Sequence, residues 1–192
     1  HRDLHSFPTR RSSDLQEKKL LWEHSYRTAF YAYNLAKNFK RDRNLMDDVY
    51  VGGILHDMGK IIFSNVHPDL LAKIRNFCAE KDIPASEFEN LSAGMNHAEI
   101  GALIAEKWNF PESLVAAIRL HHDPSVAAAE FHDVVGTVYL ANMLCEFEAG
   151  SVTFDQFDQK TLTEFGISSE KQIETMIQRF SQGFKMESQR SR

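Results

Sequence analysis

An all-α fold is predicted by three observations. Apolar residues recur at three- and four-residue spacing in one segment after another, no alternating strand pair stands out, and Gly59, Gly94, Pro111, Pro124 and Gly150 punctuate the periodic stretches. A chain of 192 residues, 43% of them hydrophobic, is long enough to bury one core of ordinary size. One helical domain is expected over residues 16–185, between a leader at 1–15 and a polar tail at 186–192.

The leader shows no apolar periodicity. His5-Ser6-Phe7-Pro8-Thr9-Arg10-Arg11-Ser12-Ser13-Asp14-Leu15 resembles the translation of a sequencing adaptor, which sets it outside the fold and implies a fragment whose natural chain continues upstream. From Gln16 to about Phe39 the positions Leu21, Ala29, Ala32, Leu35, Ala36 and Phe39 recur at helical spacing, and His24 and Thr28 share that stripe, so His24 faces inward. A second helix runs from about Met46 through Val49, Val51, Ile54 and Leu55, with Asp47 or Asp48 near its start and Gly59 suited to a left-handed closing turn. His56 and Asp57 fall in its last turn.

Pro68 suits the first position of a third helix that buries Leu70, Leu71, Ile74, Phe77 and Cys78. Ser86-x-x-Glu89 and Asn96-x-x-Glu99 read as capping boxes, the second placing His97 in the first turn of a helix with Ile100, Ile104 and Trp108 toward the core. After Phe110-Pro111, Leu114, Ala117, Ile118 and His121 repeat at i, i+3, i+4 and i+7 on a helix ending before Pro124. A sixth helix, about Glu130 to Phe147, buries Val135, Val138, Asn142 and Cys145 on one stripe. The stretch from Phe154 to Phe165 is polar and ambiguous, and Ser168 or Ser169 caps a last helix through Ile173, Met176, Ile177 and Phe180.

Composition narrows the function classes. A net charge of -5 and a pI near 6.0 carry no global basic excess, so nucleic-acid binding is not indicated. Phe30, Tyr31, Tyr33, Trp108 and Phe110 have no basic groove beside them and read as core or partner-facing surface rather than a platform for bases. Cys78 and Cys145 sit in apolar helical stretches, which points to reduced core thiols and a cytoplasmic protein. No apolar run reaches the roughly 18 residues of a membrane span.

The densest chemistry is Leu55-His56-Asp57-Met58-Gly59-Lys60, because an adjacent His-Asp pair at a helix end can offer imidazole nitrogen and carboxylate oxygen to one cation. His24, His97, His121 and His122 occur where helices could bring them to it. Six N and O donors without a neighbouring cysteine suit one or two divalent ions such as Fe, Mn, Co or Zn, and suit Ca poorly. Any one of these histidines alone is more often a core residue bonded to a carbonyl. Lys60 is either a point charge for a phosphate oxygen or a cation favoured by a helix C-terminus. Glu99 reads as a cap rather than a base, and His67 and His132 as loop or cap residues.

These blocks resemble the HD superfamily of metal-dependent phosphohydrolases, and most fully its HDOD branch, the HD-related output domain of bacterial signalling proteins. Leu21-Trp22-Glu23-His24-Ser25, Gly53-Ile54-Leu55-His56-Asp57-Met58-Gly59-Lys60, Asn96-His97-Ala98-Glu99-Ile100-Gly101 and Ala117-Ile118-Arg119-Leu120-His121-His122-Asp123-Pro124 carry the likeness, which extends from about Leu20 to Phe184. The resemblance implies an HD-domain-like helical bundle with metal ligands His24, His56, Asp57, His97, His121 and His122. It also implies a helical portion ahead of the Trp-x-His-Ser block that this chain lacks. Two departures stand out. Asn142 occupies the place of the aspartate that completes the metal shell of active HD enzymes, and the Gly-Tyr-Pro signature of cyclic dinucleotide phosphodiesterases is absent after His121-His122.

Two functions follow as expectations. One is a signalling output module with a partly retained metal site, whose partners are signalling proteins or upstream domains of the full-length chain. The other is a metal-dependent phosphohydrolase or phosphodiesterase acting on a nucleotide or phosphodiester, with His121 or His122 protonating the leaving oxygen and Lys60 stabilising charge.

Overall fold

A computed structural model describes residues 10–40, 42–66, 89–90 and 94–190, and every regular element among them is helical. The expected third helix with Pro68, Leu70, Leu71, Ile74, Phe77 and Cys78 lies outside the described residues, as do Phe7, His67 and Ser86.

Helix α1 (Arg10–Leu35) begins inside the expected leader, because extending an existing helix orders only one residue at a time and needs no apolar stripe. Its outer turns carry little core: Leu15 is 73% exposed, Leu20 58% and Trp22 63%, and Leu21 is half-buried. Burial starts at Ser25 and continues through Thr28, Ala29, Tyr31, Ala32 and Leu35. The helix then widens into a π turn (Ala36–Lys40), whose extra residue rotates Phe39 off the expected stripe and leaves it exposed, with its ring edge against Phe165.

Helix α2 (Arg43–Leu55) starts three residues before the expected Met46, because Asp42 rather than Asp47 or Asp48 is the cap, accepting from Asn44 N and Leu45 N. A two-residue turn, His56-Asp57, joins it to α3 (Met58–Val66). Gly59 therefore lies in a helix and not in a left-handed turn; among the described glycines only Gly94, Gly150 and Gly166 have positive φ. What Gly59 provides is closeness. A Cβ there would overlap the carbonyl oxygen of His97 and sit 2.9 Å from Gly101 N, so α3 can lie directly on α4 (His97–Lys107) only with glycine.

That contact also overturns the expected inner face of α4. Ala98, Gly101, Ala102 and Ala105 are buried, Ile100 and Ile104 are half-buried, and Trp108 is 61% exposed, since backbones this close leave room only for small side chains. The Asn96-x-x-Glu99 capping box forms as expected, with Glu99 N donating to Asn96 Oδ1 and Asn96 N to Glu99 Oε2. Helix α5 (Glu112–Leu120) buries Leu114, Val115, Ala117 and Ile118.

Helix α6 (His132–Glu148) is the centre of the molecule. Eleven of its residues are buried, on all sides rather than on one stripe, because α1, α2 and α5 all pack against it. The ambiguous stretch after Gly150 becomes a 3₁₀ turn (Phe154–Gln156) and helix α7 (Gln159–Glu164), burying Phe157, Leu162 and Phe165. Helix α8 (Glu170–Arg190) closes the core with Ile173, Ile177, Phe180 and Phe184 at helical spacing, its first turn held by Gln172 Oε1 accepting from Ser168 N. Among the described residues, no helix is long and apolar enough to cross a membrane.

Candidate metal centre

Two glycine contacts position the site. At Gly53 a Cβ would come within 2.5 Å of Ala29 Cα, so α1 and α2 touch backbone to backbone and His24 meets His56 with ring centroids 5.3 Å apart. At Gly59 the contact with α4 brings His97 over the His56-Asp57 turn. Helix α5 ends at Leu120 and delivers His121 and His122 from its C-terminal turn, with the His121 ring edge-on to His56 at 4.9 Å.

Asp57, only 2% exposed, is the hub. Its Oδ2 lies 3.4 Å from His56 Nε2 and 3.6 Å from His24 Nε2, and accepts from Lys60 Nζ at 2.8 Å. Its Oδ1 lies 3.2 Å from His97 Nε2 and 3.7 Å from His121 Nε2. His97 Nε2 is in turn 3.3 Å from His121 Nε2 and 2.9 Å from His122 Nε2. Two ligand-like groups result, His24/His56/Asp57 and His97/His121/His122, each with donor atoms all within 4.8 Å of one another. The six histidine and aspartate side chains singled out in the sequence thus share one site.

The hydrogen bonds orient the rings. His56 Nδ1–H donates to Gly53 O at 2.8 Å, His121 Nδ1–H to Ile118 O at 2.7 Å, and His97 Nδ1–H to Glu89 Oε2 at 2.6 Å. In each case Nε2 is left to face inward, the arrangement by which metal-ligating imidazoles are fixed. Among the described residues four buried polar atoms have no hydrogen-bond partner: His24 Nε2, His56 Nε2, Asp57 Oδ1 and Asn142 Oδ1. Buried polar atoms are nearly always satisfied, so His24, His56 and Asp57, with three of these orphans and their donor atoms within 4.8 Å of one another, make a group that could hold a cation.

A family model described as HDOD domain matches residues 4–124, more than half of the chain. The chain belongs to the HDOD family. The match spans His24, His56, Asp57, His97, His121 and His122 and ends before Asn142; it begins inside the expected leader. An uncharacterized protein of Treponema pallidum (strain Nichols) is 36% identical over 171 residues, 89% of this chain but 33% of that protein. The fold is shared with a solved structure from Marinobacter aquaeolei VT8, provisionally named a signal transduction protein (TM-score 0.68, 22% identity, 90% of this chain and 39% of that one). It is shared too with one from Shewanella amazonensis SB2B, provisionally named a phosphohydrolase (TM-score 0.63, 22% identity, 84% of this chain and 58% of that one). The HDOD domain here spans about a third of the Treponema protein.

Electrostatics in this HDOD domain favour the ligand forms of His24, His56, His121 and Asp57 and oppose that of His97. Burial first, then neighbouring charge, lowers His56 and His121 below the ordinary imidazole range and His24 to about 4, so these rings are neutral near pH 7. Burial would push the Asp57 carboxyl up, but Lys60, His56 and His97 outweigh it and hold Asp57 ionised. Burial and Lys60 work against protonation of His97, yet its contacts with Asp57 and Glu89 raise it above the ordinary value.

One sequence reading changes, and two residues were missed. Lys60 lies in the first turn of α3, not at a helix C-terminus; its cation is held there by Asp57 against an unfavourable helix dipole. Glu89 accepts from both His97 N and His97 Nδ1, while Ser86, its expected capping-box partner, lies outside the described residues. No local spacing rule pairs residues eight apart, so the sequence carried no signal for it. Glu146, one turn after Asn142 on α6, was also missed; its charge reaches both His24 and Lys60. A separate concavity of about 480 Å³, lined by Phe39, Phe165, Lys171 and Arg179 among others, shares no residue with this site.

Proposed function

We propose that this HDOD domain is a bacterial signalling output module with a divalent-metal centre in its core. The observation that carries the reading is the convergence of His24, His56 and Asp57, each with an unpartnered buried atom, with oriented His97 and His121 and the adjoining His122 beside them. A histidine-rich set with one carboxylate suits Fe, Mn, Co or Zn. When bound, such an ion supplies Lewis acidity and neutralises charge on a phosphoryl oxygen.

The chain's own residues argue for regulation over turnover. Asp57 is the only carboxylate within the two histidine groups, and Lys60 already neutralises it. Asn142 contributes a neutral amide oxygen, a weaker donor than carboxylate. Lys60, bonded to Asp57, is not free to grip a phosphate unless that bond breaks. Its partners are then signalling proteins that dock on the helix surfaces.

The second reading, a phosphohydrolase acting on a nucleotide or phosphodiester, is favoured by one observation: Asp57 presents a separate oxygen to each histidine group, as a two-metal site requires. His122 is the exposed member of the second group, but desolvation first and then the neighbouring His97 and Lys60 lower it to about 3, so it is a neutral ring near pH 7. Metal content and hydrolysis of bis-p-nitrophenyl phosphate, compared for wild type, Asn142→Asp and His56→Ala, decide between them. The module reading expects bound metal, no wild-type turnover, and tighter metal binding in Asn142→Asp by about tenfold or more, the scale of one added charge-assisted contact. Robust wild-type turnover abolished by His56→Ala would establish the enzyme instead.

A further inference from the structure

The three inward-facing histidines are not oriented alike. His56 and His121 donate to carbonyls three residues back in their own helices, Gly53 O and Ile118 O, so each is set by the helix that carries it. His97 is set by a charged group from elsewhere in the chain. Glu89, 1% exposed, offers one oxygen, Oε2, to His97 N at 2.8 Å and to His97 Nδ1 at 2.6 Å. The two bonds have different consequences. The first satisfies a backbone donor left open at the start of α4, which Asn96 and Glu99 already cap at other donors. The second fixes the ring and places an anion behind it, which strengthens an imidazole as a ligand.

The two ligand groups therefore differ in what holds them. His24, His56 and Asp57 are set by the backbone contact of α1 with α2 at Gly53 and by the turn that follows. His97/His121/His122 depends on a carboxylate outside the group, that of Glu89. Building on the metal-centre reading, we propose that Glu89 is a positioning residue on which loading of the His97/His121/His122 group depends, while the His24/His56/Asp57 group loads without it. Since coupling is reciprocal, an ion at the His97/His121/His122 group must also strengthen the hold of Glu89 on His97.

Cobalt(II), titrated into the intact chain and followed by its visible absorption and by calorimetry, tests this. The wild type should take up two equivalents. Glu89→Gln keeps the shape and an acceptor for His97 N but removes the anion, and should weaken one equivalent about 10- to 100-fold, the range for loss of such a partner, while leaving the other unchanged. His24→Ala should weaken the opposite equivalent. In wild-type protein, cobalt should slow hydrogen exchange at the amides of Glu89, Asn90 and His97, a readout that does not require the variant to fold. If Glu89 were only a helix cap, Glu89→Gln would bind both equivalents as the wild type does, or cobalt would leave those amides unprotected, and either result overturns the proposal. Equal weakening of both equivalents would overturn it as well. A wild type that binds no cobalt would remove the metal-centre reading itself, an outcome distinct from all of these.

Discussion

His97 is the one imidazole of the cluster whose protonated form is favoured, through Asp57 and Glu89, whereas His24, His56 and His121 are held neutral. An ion taking up Nε2 of His97 must displace that proton, so loading should release it. Because the proton is bound more tightly than in a free imidazole, metal affinity should rise with pH through the range above about 6.5, by up to about one log unit per pH unit, and level off at higher pH. Calorimetric titration in buffers of different ionisation enthalpy reads both the slope and the proton released. A flat profile with no proton release would show that His97 stays out of the coordination. At the same scale, Asn142 marks a departure from the enzyme pattern by its identity, and its Oδ1 is buried without a hydrogen-bond partner.

At the scale of elements, two glycines of the same residue type should behave oppositely. Gly59 in α3 faces His97 O and Gly101 N so closely that a methyl group forces α3 and α4 apart. Gly136, in the middle of α6, has its nearest neighbouring atom at 4.0 Å. Gly59→Ala should therefore cost about 1–3 kcal/mol, as overpacking does, and should also lower metal affinity by moving His97 from Asp57. Gly136→Ala should be neutral or stabilise by up to about 1 kcal/mol, the difference in helix propensity. Urea denaturation midpoints at equal slope separate the two. Equal effects would mean the α3–α4 contact can relax without cost. The same closeness explains why Trp108 was misplaced from sequence: apolar periodicity weighs residue size as core signal, while the α3–α4 spacing admits only Ala98, Gly101, Ala102 and Ala105.

Across the whole molecule, one polar network fastens helices distant in sequence. Glu148 at the end of α6 accepts from Tyr31 Oη at 2.6 Å and Arg27 Nη1 at 3.0 Å, both on α1, and Ser181 of α8 donates to it as well. Burial alone would raise the Glu148 carboxyl, but these donors outweigh it and lower it from its usual 4.5. A depressed folded-state pKa means the stabilisation is fully present above the unfolded value and disappears as pH falls through the folded one. Stability should thus decline on acidification below about 4.5, and Glu148→Gln should lose part of that dependence while being less stable near neutrality. Thermal melts of both proteins from about pH 3 to pH 7 check this; parallel curves would show that Glu148 titrates alike in folded and unfolded chains.

The sequence by itself determined the helical class, most helix positions, and the identity of the five histidines that gather with Asp57. These follow from local periodicity, caps and motif spacing, which act over a few residues and are written directly in the chain. Tertiary structure alone decided what distance decides. The sequence did not show that Gly59 is a contact and not a turn, that α6 is buried on all sides, or that Lys60 is tied to Asp57. Nor did it show that Glu89 serves His97. Each depends on which helices approach and how closely, and close packing fixes that through the sum of many contacts between residues far apart in the chain. The expected roles of His97 and Asp57 could be read from their neighbours in sequence; the oxygen and nitrogen each one faces could not.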